Sequence, residues 1–169
     1  MKTMLQQCEE NYNGENIVDA KLPAQKVGGV YNNGVYVDVH KATKLKGFSV
    51  TEKWNPSDQK ETREGFVDVP VLAADKAGSS FSFSFHGNAV GIAIVSGPDA
   101  GIIEYRIDSG KKAKLNLFTP WSNSLHLPWY LMLGDGLKNG KHILEIKISS
   151  GNGDAGGHAC RIVHFLVNK

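Results

Sequence analysis

Residues 118–133 read Phe-Thr-Pro-Trp-Ser-Asn-Ser-Leu-His-Leu-Pro-Trp-Tyr-Leu-Met-Leu, with two prolines, two tryptophans and a histidine in sixteen positions. The chemistry this composition can do is recognition. A tryptophan offers a flat apolar face with a polar rim, which matches a pyranose ring. Trp121 and Trp129 supply two such faces, Tyr130 adds aromatic area, and His126 can donate or accept a hydroxyl hydrogen bond. A second turn, Gly97-Pro98-Asp99-Ala100-Gly101, offers Asp99 as an acceptor for sugar hydroxyls. The expected ligand-binding or domain-interface surface is where these two loops meet, built from Asp99, Trp121, His126, Trp129 and Tyr130. The competing reading makes Trp121 and Trp129 plugs at the end of the fold and Asp99 a cap on its own turn. Trp54 closes the alternating run Phe48, Val50, Trp54 and reads as core.

Other chemistries lack their parts. A serine hydrolase needs a nucleophile on a strained turn, a histidine base and an orienting acid. The chain has no Gly-x-Ser-x-Gly, and Gly134-Asp135-Gly136-Leu137 imitates a Gly-Asp-Ser-Leu block without its serine. Asp38-Val39-His40 is not an Asp-x-x-His pair. The six histidines, at 40, 86, 126, 142, 158 and 164, form no His-x-x-x-His, so no metal and no cofactor is expected. Asn152-Gly153-Asp154 lacks a full calcium-loop pattern and reads as a glycine turn. Cys8 and Cys160 are far apart with no Cys-x-x-Cys spacing, and both are expected to be free thiols.

Nineteen basic against seventeen acidic residues give a net charge of +2, which makes no case for a polyanionic partner, and no nucleic acid is expected. The clusters Lys41, Lys44, Lys46 and Lys111, Lys112, Lys114 read as solvated sheet edges. No run reaches the ~20 apolar residues a membrane span requires.

The elements that must position these residues are strands. Phe81, Phe83 and Phe85 alternate with Ser80, Ser82 and Ser84, a period of two with one face buried. Val90, Ile92, Ile94 and then Ile103, Tyr105, Ile107 continue the pattern, and Ala113, Leu115, Leu117 complete a hairpin after Ser109-Gly110. Asn32-Asn33-Gly34 between Val30-Tyr31 and Val35-Tyr36-Val37 predicts a further hairpin. Residues 66–69 form a strand candidate that Pro70 ends or confines to an edge, with 72–78 as connector. His142, Leu144, Ile146 and Ile148 alternate, and 159–167 is apolar on both faces, as in a central closing strand. No amphipathic helix longer than three turns can be drawn. The expected fold is an all-β, antiparallel β-sandwich or jelly roll of about eight to ten strands. Residues 1–15 read as a leader or linker and 16–169 as one domain.

The blocks Phe85-His86-Gly87-Asn88-Ala89-Val90-Gly91, Gly97-Pro98-Asp99-Ala100-Gly101 and Glu104-Tyr105-Arg106-Ile107-Asp108 carry a family resemblance. It continues through Leu117-Phe118-Thr119-Pro120-Trp121-Ser122, Leu125-His126-Leu127-Pro128-Trp129-Tyr130, Gly140-Lys141-His142 and the closing segment from Ala159 to Asn168. In this order the blocks resemble the C-terminal, galactose-binding-like β-sandwich domain of bacterial SGNH/GDSL-type hydrolases, over roughly 16–168. The resemblance implies a secreted esterase acting on glycans, whose catalytic residues sit in a separate upstream α/β domain. None of those residues is in this chain. It therefore implies a non-catalytic accessory domain, extracellular or periplasmic in the parent protein, with the SGNH-type catalytic domain and polysaccharide as partners. Residues 1–10 lack the apolar core of an export signal, which suits a domain cut from a longer secreted protein. An autonomous carbohydrate-binding module is the alternative, and a stand-alone hydrolase the third reading.

Overall fold

The computed structural model describes residues 31–150 and 156–169. Its strands are β1 (Gly34–Asp38), β2 (Ala42–Lys46), β3 (Ser49–Trp54), β4 (Val69–Ala74), β5 (Ser80–Gly87) and β6 (Ala89–Ser96). They continue with β7 (Ile102–Ile107), β8 (Ala113–Asn116), β9 (Leu127–Gly134), β10 (Gly140–Ile148) and β11 (Cys160–Asn168). One sheet runs β3-β4-β11-β6-β9, with β1 also paired to β11, and the other runs β2-β5-β10-β7-β8. All named strand pairs are antiparallel. The fold is an all-β sandwich, as the alternation predicts. The expected leader at 1–15, and Cys8 with it, lie outside the described residues.

The core lies between the two inner faces. Phe81, Phe83 and Phe85 face it from β5, Leu144, Ile146 and Ile148 from β10, and Ile92, Ile94, Ile162 and Phe165 from β6 and β11. Phe83 stacks on Phe165 across the sheets, with ring centroids 3.8 Å apart and planes 7° from parallel. The runs β5, β6 and β7 do not form a hairpin ladder, because the chain changes sheet between each pair. At the first change Gly87 lies so close to β11 that a Cβ there would sit 2.2 Å from the Asn168 carbonyl oxygen. The Asn88 N–H donates to that same oxygen at 2.9 Å, and the Asn168 side chain donates to Asn88 Oδ1 at 2.7 Å.

β11 is central, as its two apolar faces predict. Its register shifts between Ile162, opposite Ile94, and Phe165, opposite Ile92. This bulge lets two residues three apart both face the core. The lysine clusters fall at the two edges of the five-stranded sheet, on and beside β2 and β8.

β1 pairs with β11, and the hairpin expected at Asn32-Asn33-Gly34 falls in part on Val30, outside the described residues. Three expectations need correcting. The strand expected at 66–69 begins only at Val69 and continues through what reads as connector to Ala74. Pro70 is tolerated inside it because it sits at the register shift between Val71, opposite Thr51, and Val69, opposite Trp54. Residues 127–134 are also a strand, β9, so the described residues hold eleven strands, more than the eight to ten expected.

Cys160 is a buried free thiol. Burial pushes its pKa up to about 12, so almost no thiolate is present at neutral pH. A thiol reagent should leave Cys160 unmodified in the native protein and label it fully in denaturant. Rapid native labelling of this residue, read by peptide mass, would show that β11 opens easily.

Candidate functional site

The site grows from a small buried hydroxyl network. Ser96, the last residue of β6, is fully buried, with its Oγ 2.7 Å from the Leu117 carbonyl and 2.8 Å from Ser122 Oγ. The Ser122 N–H donates to Thr119 Oγ1 at 3.2 Å, and the Thr119 N–H donates to Ser122 Oγ at 3.1 Å. This reciprocal capping box closes a single 3-10 turn, Pro120–Ser122, whose proline presets the first residue. The turn carries Trp121 outward, 66% exposed. Trp129, on the edge strand β9 and 37% exposed, stacks against it with centroids 6.0 Å apart at 24°. Neither tryptophan is a buried plug. They form an exposed aromatic pair on a rigid support.

Trp129 and Tyr130 stand on a strand, not in a loop, so they point to opposite faces. Trp129 lies opposite Ile94 and Tyr130 opposite Ala93. Tyr130 therefore joins another surface, the outer face of the six-stranded sheet, where its hydroxyl hydrogen-bonds with Tyr36. Desolvation first, and that bond next, raise its pKa. Gly91 and Ala93 of β6 form a low floor here, flanked by Leu166 and His164 of β11 and by Met132 and Tyr130 of β9. Tyr31, Val35, Tyr36, Met132 and Leu166 line a shallow apolar cavity of about 310 Å³. Tyr36, Tyr130 and Met132 are exposed on this face. Sequence reasoning missed it, because Leu166 lies in a run apolar on both faces and Met132 in one whose alternation prolines and tryptophans obscure.

His126 is 1% exposed and turned into the protein. Its Nε2 is 3.0 Å from Asp58 Oδ1, its N–H donates to the Glu61 carbonyl at 2.8 Å, and its ring meets Trp54 edge-on at 5.7 Å. It pins the 55–68 loop over the outer face, where Trp54, Val71, Val95 and Val163 form a second apolar cluster with Phe66 and Val67. Gly97 must be glycine beside it, since a Cβ would lie 2.4 Å from His126 Nδ1. Trp54 is buried as expected, but on the outer face, because the register shift between Thr51 and Trp54 turns it away from the core that Phe48 and Val50 join.

Asp99 also has an occupant. Both of its oxygens accept from Arg161, Nη1 at 2.9 Å and Nη2 at 2.5 Å, and the guanidinium lies 5.6 Å from the Trp54 ring centre. Burial pushes the Asp99 carboxyl up, but Arg161's hydrogen bonds and charge outweigh it, and the pKa is held below the usual carboxylate range. The sequence-predicted residues thus divide among an aromatic pair (Trp121, Trp129), a tyrosine face (Tyr130) and a polar corner (Asp99, His126). Among the described residues no group of three or more His, Cys, Asp or Glu side chains could hold a metal ion, and 152–154 lies outside them. No helix among them is long and apolar enough to cross a membrane.

No protein-family model and no curated protein matches the sequence. Solved structures do match in fold. A two-domain esterase (CEX) active on acetylated mannans superposes with a TM-score of 0.74 at 11% identity, over 96% of this chain and 43% of that one. The CBM36-1 domain of a multidomain xylanase from the hindgut metagenome of Trinervitermes trinervoides gives 0.51 at 12% identity, over 79% of this chain and 95% of that one. The GH26-CBM35 β-(1,4)-mannanase of Podospora anserina gives 0.52 at 12% identity, over 81% of this chain and 28% of that one. The chain spans less than half the length of the esterase it matches. What these structures share with the chain is the fold, an antiparallel β-sandwich.

Proposed function

We propose that the chain is a non-catalytic accessory domain of an exported SGNH/GDSL-type carbohydrate esterase, and that it holds glycan through Trp121 and Trp129. The observation that carries this reading is the exposed stacked tryptophan pair on its capped 3-10 turn. Two coplanar-leaning rings suit the apolar faces of sugar units, and the proline and buried serines lower the ordering cost of presenting them. Acetylated mannan, the substrate of the two-domain neighbour, is the first ligand to try. The tyrosine face around Tyr36, Tyr130 and Met132 is the surface offered to the catalytic partner. An autonomous carbohydrate-binding module is the second reading, favoured by the match to nearly the whole of an isolated CBM36 domain.

Affinity gel electrophoresis in acetylated and deacetylated mannan tests the glycan role. Trp121→Ala should lose roughly fivefold to thirtyfold in affinity, as expected for truncating an aromatic contact worth on the order of 1–2 kcal/mol, with the Tm unchanged. Unaltered retardation by the variant, or a fall in Tm of several degrees, would make the pair structural.

A further inference from the structure

The outer face of the five-stranded sheet carries a groove that neither the tryptophan pair nor the tyrosine face explains. Its cavity is about 340 Å³ and crosses the middle strands β5, β10 and β7. Register places Ser80, Ser82, Glu145, Lys147, Glu104 and Arg106 on this one outward face. Arg106 Nε pairs with Glu145 Oε2, and Lys114 Nζ lies 3.4 Å from Glu104 Oε1, so both carboxylates of the floor are matched. Lys44 from the edge strand β2 and Lys112 from the β7–β8 turn also line the groove, and both act on Glu145 through their charge. The lining holds four cations against two carboxylates.

Lys44 is placed there at a conformational cost. It has a positive φ of 53°, which a non-glycine residue rarely adopts, within a register shift of β2 between Thr43 and Lys46. A bulge re-aims a side chain, and a strained backbone kept at a charged residue is a sign of use.

We propose that this groove binds a glycan segment bearing carboxylates, a uronate-containing chain, with Lys44, Lys112 and Lys147 meeting the carboxylates. Ser80, Ser82 and the two glutamates take the sugar hydroxyls. This inference rests on the glycan reading above, though on a separate face from Trp121.

The test is calorimetric titration with polygalacturonate, its methyl-esterified form, neutral mannan and duplex DNA. Methyl esterification keeps the sugar and removes the charge. The protein should bind polygalacturonate about tenfold or more tightly over the methyl ester, from two or three surface charge contacts, and lose the preference in raised salt. The double variant K44Q/K112Q should abolish the preference, while W121A leaves it intact. Lys44→Gly should weaken binding with a Tm at or above the parent's, since glycine relieves the positive φ. Equal affinity for both galacturonans, indifference to K44Q/K112Q, or DNA binding as tight as polygalacturonate overturns the proposal. Mannan binding lost in W121A without any polygalacturonate binding overturns it but leaves the proposed function standing. Polygalacturonate binding with mannan affinity indifferent to W121A supports the groove and sinks the tryptophan site, and no binding to any glycan removes both.

Discussion

Phe165→Ala should destabilise the sandwich by about 3–5 kcal/mol, the range for truncating a fully buried aromatic side chain. Phe165 has no exposed surface and lies on the central strand β11. It is stacked on Phe83 of the opposite sheet and lies 5.8 Å, centroid to centroid, from Phe81. Removing it opens a void between the two sheets, in a region walled by β-strands that cannot collapse without breaking ladder hydrogen bonds. The loss combines the transfer free energy of the ring with the cost of that cavity. Phe165→Leu, which keeps most of the volume, should cost appreciably less. Urea titration measures both, with the midpoint falling and the slope unchanged if the transition stays two-state. A deficit under about 1 kcal/mol for the alanine variant would mean the sheets close over the gap and the stack is dispensable.

The two strands that carry that stack were legible in the sequence, because Phe81, Phe83 and Phe85 alternate with serines and 159–167 is apolar on both faces, but the contact between them was not. Period two is a local property, and it survives into the structure wherever one face meets the core. What local pattern cannot carry is partner choice. Nothing in Gly34–Asp38 says that its partner lies at the other end of the chain in β11, and Asn-Gly points to the nearer option. β9 escaped because prolines and tryptophans obscure its alternation, and because an edge strand pairs on one side only. Trp121 and Trp129 were legible as a pair by composition, and their exposure follows from a capping box that the Thr119-x-x-Ser122 spacing hints at. The burial of His126 was not legible, because a histidine beside a proline and tryptophans reads as surface. Its burial depends on Asp58, far away in the sequence, and on the room left by Gly97. The groove on the other sheet was invisible for the same reason, since Lys44 and Lys112 read as two separate solvated edges.

Arg161→Ala should cost about 1–2 kcal/mol at neutral pH, less than for a fully buried pair because half of the Asp99 side chain is exposed and solvent screens the interaction. Arg161 projects from β11 onto the outer face, where it holds both Asp99 oxygens and lies over Trp54. The Asp99 backbone is bound as tightly, its carbonyl accepting from the Ala159 N–H at 2.9 Å. The approach is so close that a Cβ on Gly157 would lie 2.0 Å from that carbonyl oxygen. The pair therefore fixes the 97–101 loop against the start of β11. Arg161→Lys should recover only part of the loss, because an ammonium cannot make the bidentate contact. The sign of the pH dependence follows from Asp99, whose folded pKa lies below its unfolded value. Its contribution is fully present above the unfolded carboxylate pKa, about 4, and is lost as pH falls through the lower folded value. The gap between parent and Arg161→Ala should thus be widest at neutral pH and shrink below about pH 4, where Asp99 of the unfolded chain takes up a proton before that of the folded protein. Urea midpoints from pH 7 to pH 2.5, together with mannan affinity at pH 7, decide the role of the corner. A pH-independent gap would assign the loss to Arg161 packing on Trp54 rather than to the ion pair. Lost mannan affinity at full stability in Asp99→Ala would return Asp99 to the ligand, as its sequence position suggests. A narrowing gap with mannan affinity untouched makes Asp99 the residue that holds its loop in place.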